Sequence, residues 1–211
     1  DILPAQECGL SVFWTPVDSA QAWELPTSPP PTGGLSGVLA WLDHTPLESL
    51  APNLSTPAAL IAVLRSTPAA LDTLTSRMDP GQWNIRPAPE EWCAAEVICH
   101  LRDVEIEVNL PRLERSLSEE NPFISGQNTD RWAEERAYIQ QSLPEALDAF
   151  QIQRARLLER LESLAPQVWQ RPIRHAIFGR TSFLEMMRII VDHDRIHTRQ
   201  IYHNLSLCLN G

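Results

Sequence analysis

The sequence predicts an all-α protein, an antiparallel four-helix bundle preceded by an irregular N-terminal extension. Three observations lead there. From residue 56 onward apolar residues recur at three and four positions in long stretches. Proline- and glycine-rich loops separate those stretches, and alternating strand patterns are scarce. The chain divides into a proline-rich acidic extension over 1–55 and a bundle domain over 56–206.

The extension holds eight of the 18 prolines, including Pro29-Pro30-Pro31 before Gly33-Gly34, and no arginine. Such a stretch reads as an irregular arm or linker. Trp14, Trp23 and Trp41 indicate that it is not simply solvated, and Leu35–Asp43 reads as a short helix lying on the main body.

Thr56-Pro57 and Thr67-Pro68 each place a capping hydroxyl before proline at a first helical position. The second predicts a helix start, followed by Leu71, Leu74 and Met78, and Asp79-Pro80-Gly81 ends that helix. A long amphipathic stretch begins at Trp92 and carries Val97, Leu101, Val104 and Val108 at helical spacing until Pro111 kinks or stops it. Residues 121–126 read as a loop. A third helical region spans about 129–164 with a restart at the capping box Ser142-x-x-Glu145. A second loop, bounded by Pro166 and Pro172, ends at Phe178-Gly179. Ser182-x-x-Glu185 then opens a last helix through about Asn204.

Composition excludes several functions. Of 211 residues, 43% are apolar, which supports a buried core and argues against a wholly disordered chain. The 17 basic residues are all arginine, none lies before Arg65, and 27 acidic residues bring the net charge to −10. No cationic cluster suits phosphate neutralisation or an anionic membrane surface, so neither nucleic acid nor membrane is an expected partner. No apolar run approaches the ~18–20 residues that span a bilayer. The opening DILPAQECGL does not read as a signal peptide. The four cysteines form no C-x-x-C pair, and Cys93 and Cys99 project about 240° apart on one helix. They read as small buried thiols in a reducing compartment, and the protein as cytoplasmic.

The chemistry is expected from histidine. His193 and His197 stand four apart on the last helix and point from one face, so both can reach a single ion. His100, embedded among Val97, Ile98, Cys99 and Leu101, is the candidate third ligand. On its helix Glu96, His100, Asp103 and Glu107 make a polar stripe, for whose glutamates a solvated face is the simplest reading. Two known metal patterns fit poorly. In the zinc-protease motif a glutamate follows the first histidine, where Asp194 stands here, and only 14 residues follow His197. Di-iron bundles need two Glu-x-x-His motifs, and the sequence has none.

Trp92-Cys-Ala-Ala-Glu96-Val-Ile-Cys-His100-Leu-Arg-Asp103 resembles the W-x-x-x-E-x-x-x-H-L-x-D signature of the DinB-like superfamily. Phe178-Gly179-Arg180-Thr181, followed by His193-Asp194-x-x-His197-x-x-Gln200-Ile201, resembles that family's closing helix. The resemblance covers about residues 65–205. It implies a four-helix bundle with a divalent metal, zinc, nickel or iron, held by His100, His193 and His197 with open coordination positions. It further implies a small-molecule substrate and either of two activities, S-transfer using a low-molecular-weight thiol or hydrolysis by metal-activated water. A homodimer is common in the family. Cys93 departs from the Ser or Thr usual at its position, so this helix start is expected to depend on another group.

Within that frame Glu96, Asp103 and His175 are the candidate catalytic residues. Glu96, Asp103, Asp192 and Asp194 are candidates to accept the second N–H of a ligand imidazole. Trp92 and Trp132 read as core or pocket walls, Arg195 and Arg199 as exposed side chains within reach of an anionic substrate. His44 and His203 receive no role. The alternative to an enzyme is a non-catalytic stress-response or binding bundle, suggested by the acidic arm and the lack of an evident general base.

Overall fold

The computed structural model describes residues 2–16 and 30–210. Trp23 and Pro29 of the extension lie outside the described residues. The chain forms two compact units, residues 1–62 and 63–211.

The first unit, among its described residues, joins short helices by irregular chain. It contains α1 (Ile2–Glu7) and α2 (Leu35–His44), the helix expected near Leu35. A parallel bridge joins Trp14 to Thr32, and Phe13 packs on Trp41 with ring centroids 5.5 Å apart. Gly9 sits at φ +76°, and a Cβ there would lie 2.1 Å from the Asn53 carbonyl oxygen, so only glycine fits this crossing.

Helix α3 (Pro57–Ser76) corrects the expected start at Thr67-Pro68, because it runs straight through Pro68. Its start is the earlier signal, where Thr56 Oγ1 accepts from Ala59 N at 3.2 Å. Pro68 has no N–H for the Leu64 carbonyl. That carbonyl instead accepts from Arg154 Nη1 at 3.3 Å, and Thr67 turns its hydroxyl back to the Val63 carbonyl at 3.0 Å. Proline in the helix is tolerated because a neighbouring helix supplies the missing donor.

After the Asp79 cap, α4 (Ala94–Val104) leads through a π-turn at Glu105–Asn109 into α5 (Leu110–Ser118). Pro111 therefore does not stop the helix. The wide turn, closed by Leu110 N to Glu105 O, carries the chain to a new start with proline in the first turn of α5, where its missing N–H costs little. The chain continues through α6 (Trp132–Glu135) to α7 (Leu143–Glu162), capped by Ser142 Oγ accepting from Glu145 N. Helix α8 (Phe183–Asn210) starts with a reciprocal box, Ser182 N to Glu185 and Glu185 N to Ser182 Oγ.

The four long helices of the bundle are α3, α4 continued by α5, α7 and α8. Helix α4 is central, packing on α7 and α8. Leu71 of α3, Val97, Ile98 and Leu101 of α4, Leu147 and Phe150 of α7, and Ile201 and Leu205 of α8 close one core. The two expected loops contain a small sheet: β1 (Phe123–Ile124) runs parallel to β2 (Pro172–His175), which pairs antiparallel with β3 (Gly179–Ser182). Gly179 at φ +71° turns the β2–β3 hairpin. Strands of two to four residues are too short to leave a readable alternation. No helix among the described residues is long and apolar enough to cross a membrane.

Candidate metal centre

Helix α4 places His100 opposite His193 and His197 of α8. His193 Nε2 lies 3.1 Å from His100 Nε2 and 3.1 Å from His197 Nε2, and one nitrogen from each of the three rings falls within a 4.8 Å set. Three nitrogens around one zinc at tetrahedral angles stand about 3.3 Å apart, so the two 3.1 Å separations from His193 are those expected on a ligand face. Burial holds all three neutral. It pushes His100 down to about 3, helped by the neighbouring imidazoles, and His193 and His197 to about 4. The neutral ring is the form that offers a lone pair to a metal.

The hydrogen bonding also fits a cation. His197 Nδ1 lies 2.6 Å from Gln200 Oε1, which fixes the proton on Nδ1 and leaves the Nε2 lone pair facing the cluster. His193 Nε2 can donate one proton at most, so its two short contacts cannot both be hydrogen bonds from it. A shared cation removes that conflict. Nδ1 of His100 and of His193 is buried without a hydrogen-bond partner among the described residues.

The carboxylates expected near the imidazoles have other partners. Glu96 is fully buried, not solvated, and accepts from Arg86 and from Cys93 N at 3.0 Å. Burial opposes its charge, but these bonds outweigh it and hold its pKa below the usual range. The Cys93 side chain itself accepts from the Glu96 backbone N–H while the Glu96 carboxylate accepts from Cys93 N, so the helix start is a capping box with a thiol in the Ser or Thr place, and the Trp83 carbonyl accepts from Ala95 N beside it. Asp103 accepts from Arg102 at 2.6 Å, Tyr138 Oη at 2.7 Å and Arg136 at 2.7 Å, and it too is held ionised against burial. Asp194 points away from the histidines to the buried Arg154, which also binds Glu105 at 2.6 Å. Asp192 faces Arg188 and Arg195. None of the four accepts a proton from a cluster imidazole; the acceptor that sequence reasoning missed is Gln200.

His175 is on strand β2, not in a loop. It is buried, accepts from Ile177 N at 3.2 Å and packs on Phe178, outside the three-histidine cluster. Trp92 is a wall of the cluster, its ring 4.9 Å from His100 and stacked at 6.1 Å on His197. Trp132 lies under the Arg136 guanidinium. His44 caps its own helix at the Ala40 carbonyl, and His203 faces Glu91 at 3.5 Å. Cys93 and Cys99 are free thiols pushed up to about 11 by burial, which keeps them unreactive.

Two cavities are lined in part by cluster histidines. One of about 510 Å³ is lined by Trp92, His197, Arg199 and Gln200. A smaller one of about 110 Å³ touches His193, with Val108, Asn109, Arg112 and Gln127.

A helical bundle whose second and last long helices bring three neutral imidazoles together defines a class of histidine-cluster bundle proteins. The sequence model of the DinB superfamily matches residues 64–201, and the chain belongs to that superfamily. Among solved structures it is similar to YfiT from Bacillus subtilis, described as a probable metal-dependent hydrolase with an unusual four-helix bundle topology. The TM-score is 0.65 at 23% identity, over 79% of this chain and 94% of that one, which establishes a shared fold. No curated protein matches.

Proposed function

We propose that the protein is a divalent-metal-dependent enzyme acting on a small molecule, with His100, His193 and His197 as the metal ligands. The observation that carries this reading is the convergence of three neutral imidazoles on one point, at ligand-face spacing, in a buried setting. Zinc, nickel and iron(II) all suit an all-imidazole donor set. A divalent cation held there supplies Lewis acidity, which favours the deprotonated form of a thiol or of water.

The chain's own contribution is positioning. Gln200 holds the His197 proton on Nδ1, and Trp92 shields one side of the cluster from water. Arg154 ties α7 to Glu105 and Asp194, fixing the helices that carry the histidines. Both candidate carboxylate bases on α4, Glu96 and Asp103, are committed to arginine and tyrosine partners. A nucleophile that ionises readily suits such a site, and a thiol, at a pKa near ~8.5, loses its proton more easily than water. This favours transfer of a low-molecular-weight thiol to an electrophilic substrate. Hydrolysis is the second reading, favoured by the fold shared with YfiT and that protein's description.

Calorimetric titration with Zn²⁺ and Ni²⁺, with elemental analysis, tests the ligand set: one equivalent is expected, lost in His197→Ala. Turnover of a chromogenic electrophile by metal-loaded protein, with and without a small thiol, separates the two chemistries. Absence of turnover above the His197→Ala background under every condition would overturn both in favour of a non-catalytic bundle.

A further inference from the structure

Arg112, in the first turn of α5, is half-buried, and no carboxylate among the described residues pairs with it. Its guanidinium makes one hydrogen bond, from Nη2 to the Ser125 carbonyl at 3.1 Å. The acids around it are taken: Glu107 by Arg136 at 2.5 and 3.0 Å, Glu105 by Arg154 and Asn109. Its neighbour Arg115 pairs with Glu119 at 2.9 Å. Burial lowers the Arg112 pKa with no acid to offset it. Withdrawing a cation from water without a counter-charge is costly, and one carbonyl contact does not require a guanidinium.

Arg112 also lines two cavities that share Val108 and Gln127 as walls. The one of about 110 Å³ reaches His193, and the other, about 140 Å³, is bounded by Ile124 and Ser125 of the β1 segment. Since one water takes about 30 Å³, each has room for a molecule of a few heavy atoms. The planar, multi-donor guanidinium matches a carboxylate or similar oxyanion, which it binds through paired charge-assisted hydrogen bonds.

We propose that Arg112 forms an anion subsite that takes the carboxylate, or an equivalent oxyanion group, of a small organic ligand and directs the rest of it toward His193. Its role in substrate selection rests on the metal-enzyme reading above; the binding of an anion does not. The anionic group can belong to the electrophilic substrate or to a small thiol.

The test uses the full chain, stripped of metal by a chelator, with binding followed by proton–nitrogen correlation spectra. Succinate and mercaptoacetate are the anionic probes, succinamide and mercaptoethanol their neutral counterparts. At least one anionic probe is expected to shift resonances over 104–112 and 189–193 while its neutral counterpart does not, and which one does so identifies the source of the anion. Arg112→Gln should weaken binding at least about tenfold, the scale of a lost charged hydrogen bond. Arg112→Lys should fall between, and Arg199→Gln, in the larger cavity, should bind like the parent. Equal binding of the neutral probes, parental binding by Arg112→Gln, or no anion uptake at millimolar concentrations would each overturn the proposal. The shift map of the unsubstituted chain and the lysine variant decide the matter if Arg112→Gln misfolds. Zn²⁺ titration of the same samples is separate: anion binding without metal uptake would leave the subsite standing and remove the enzyme reading.

Discussion

At the scale of single residues, burial decides the behaviour of the three histidines. An imidazole in the unfolded chain titrates near ~6.5, whereas these are pushed to about 3 and about 4. Between those limits the unfolded state binds more protons, so stability of the metal-free protein falls as pH is lowered from about 6.5 toward about 4. The slope reaches up to about 1.4 kcal/mol per pH unit for each histidine fully engaged. Urea unfolding across that range, compared with a chain carrying alanine at all three positions, checks it; the substituted chain should show a flatter profile. Gln200 makes the other residue-scale prediction. Replacing it with alanine frees the His197 ring to change tautomer and should weaken Zn²⁺ binding by about ten- to a hundredfold, measured by competition with a chelator.

At the scale of elements, the feature that joins the helices is Arg154, which is 1% exposed. It bonds Glu105 at the π-turn, Asp194 between the two histidines of α8, and the Leu64 carbonyl left open by Pro68. Three sequence irregularities on three helices, a proline, a π-turn and a paired acid, are thus answered by one side chain from the fourth. Arg154→Leu leaves two buried carboxylates without their cation and should cost about 3–5 kcal/mol, read as a lower midpoint in urea. Arg160→Leu removes an exposed, solvent-screened pair with Glu114 instead and should leave the urea midpoint close to that of the parent. A large loss in both variants, or in neither, would contradict this account of the interior.

For the whole molecule, the expectation is that metal and fold are linked. A cation bound by residues from both α4 and α8 binds the folded chain and not the unfolded one. At a free concentration a hundred times the dissociation constant it should add about 2.7 kcal/mol of stability. The melting temperature should therefore rise on adding Zn²⁺ or Ni²⁺ and return on adding a chelator, and neither change should occur in His100→Ala. A metal-induced rise that survives this substitution would place the ion elsewhere.

The bundle and the pairing of His193 with His197 were legible in the amino-acid order, since helical periodicity, Ser-x-x-Glu boxes and a four-residue histidine spacing are local patterns, while His100 was a candidate through its apolar setting and the family resemblance. The helix 57–76 was misread at Thr67-Pro68 because a local rule could not register a donor arriving from Arg154, 90 positions away. The loop strands were missed because pairing of 123–124 with 172–175 leaves no mark within either segment. Glu96 and Asp103 read as part of a polar stripe, with a solvated face the simplest reading for Glu96, yet both are buried because Arg86, Arg136 and Tyr138 arrive from other segments. Taken alone, the sequence determined the all-α class, the superfamily resemblance and the His193–His197 pair on one helix face, because those follow from patterns local to one stretch of backbone. Only the tertiary structure decided which carboxylates were free, which arginines were neutralised and where a cavity met an unpaired charge. Those properties depend on electrostatic partners and burial supplied by residues far apart in the chain.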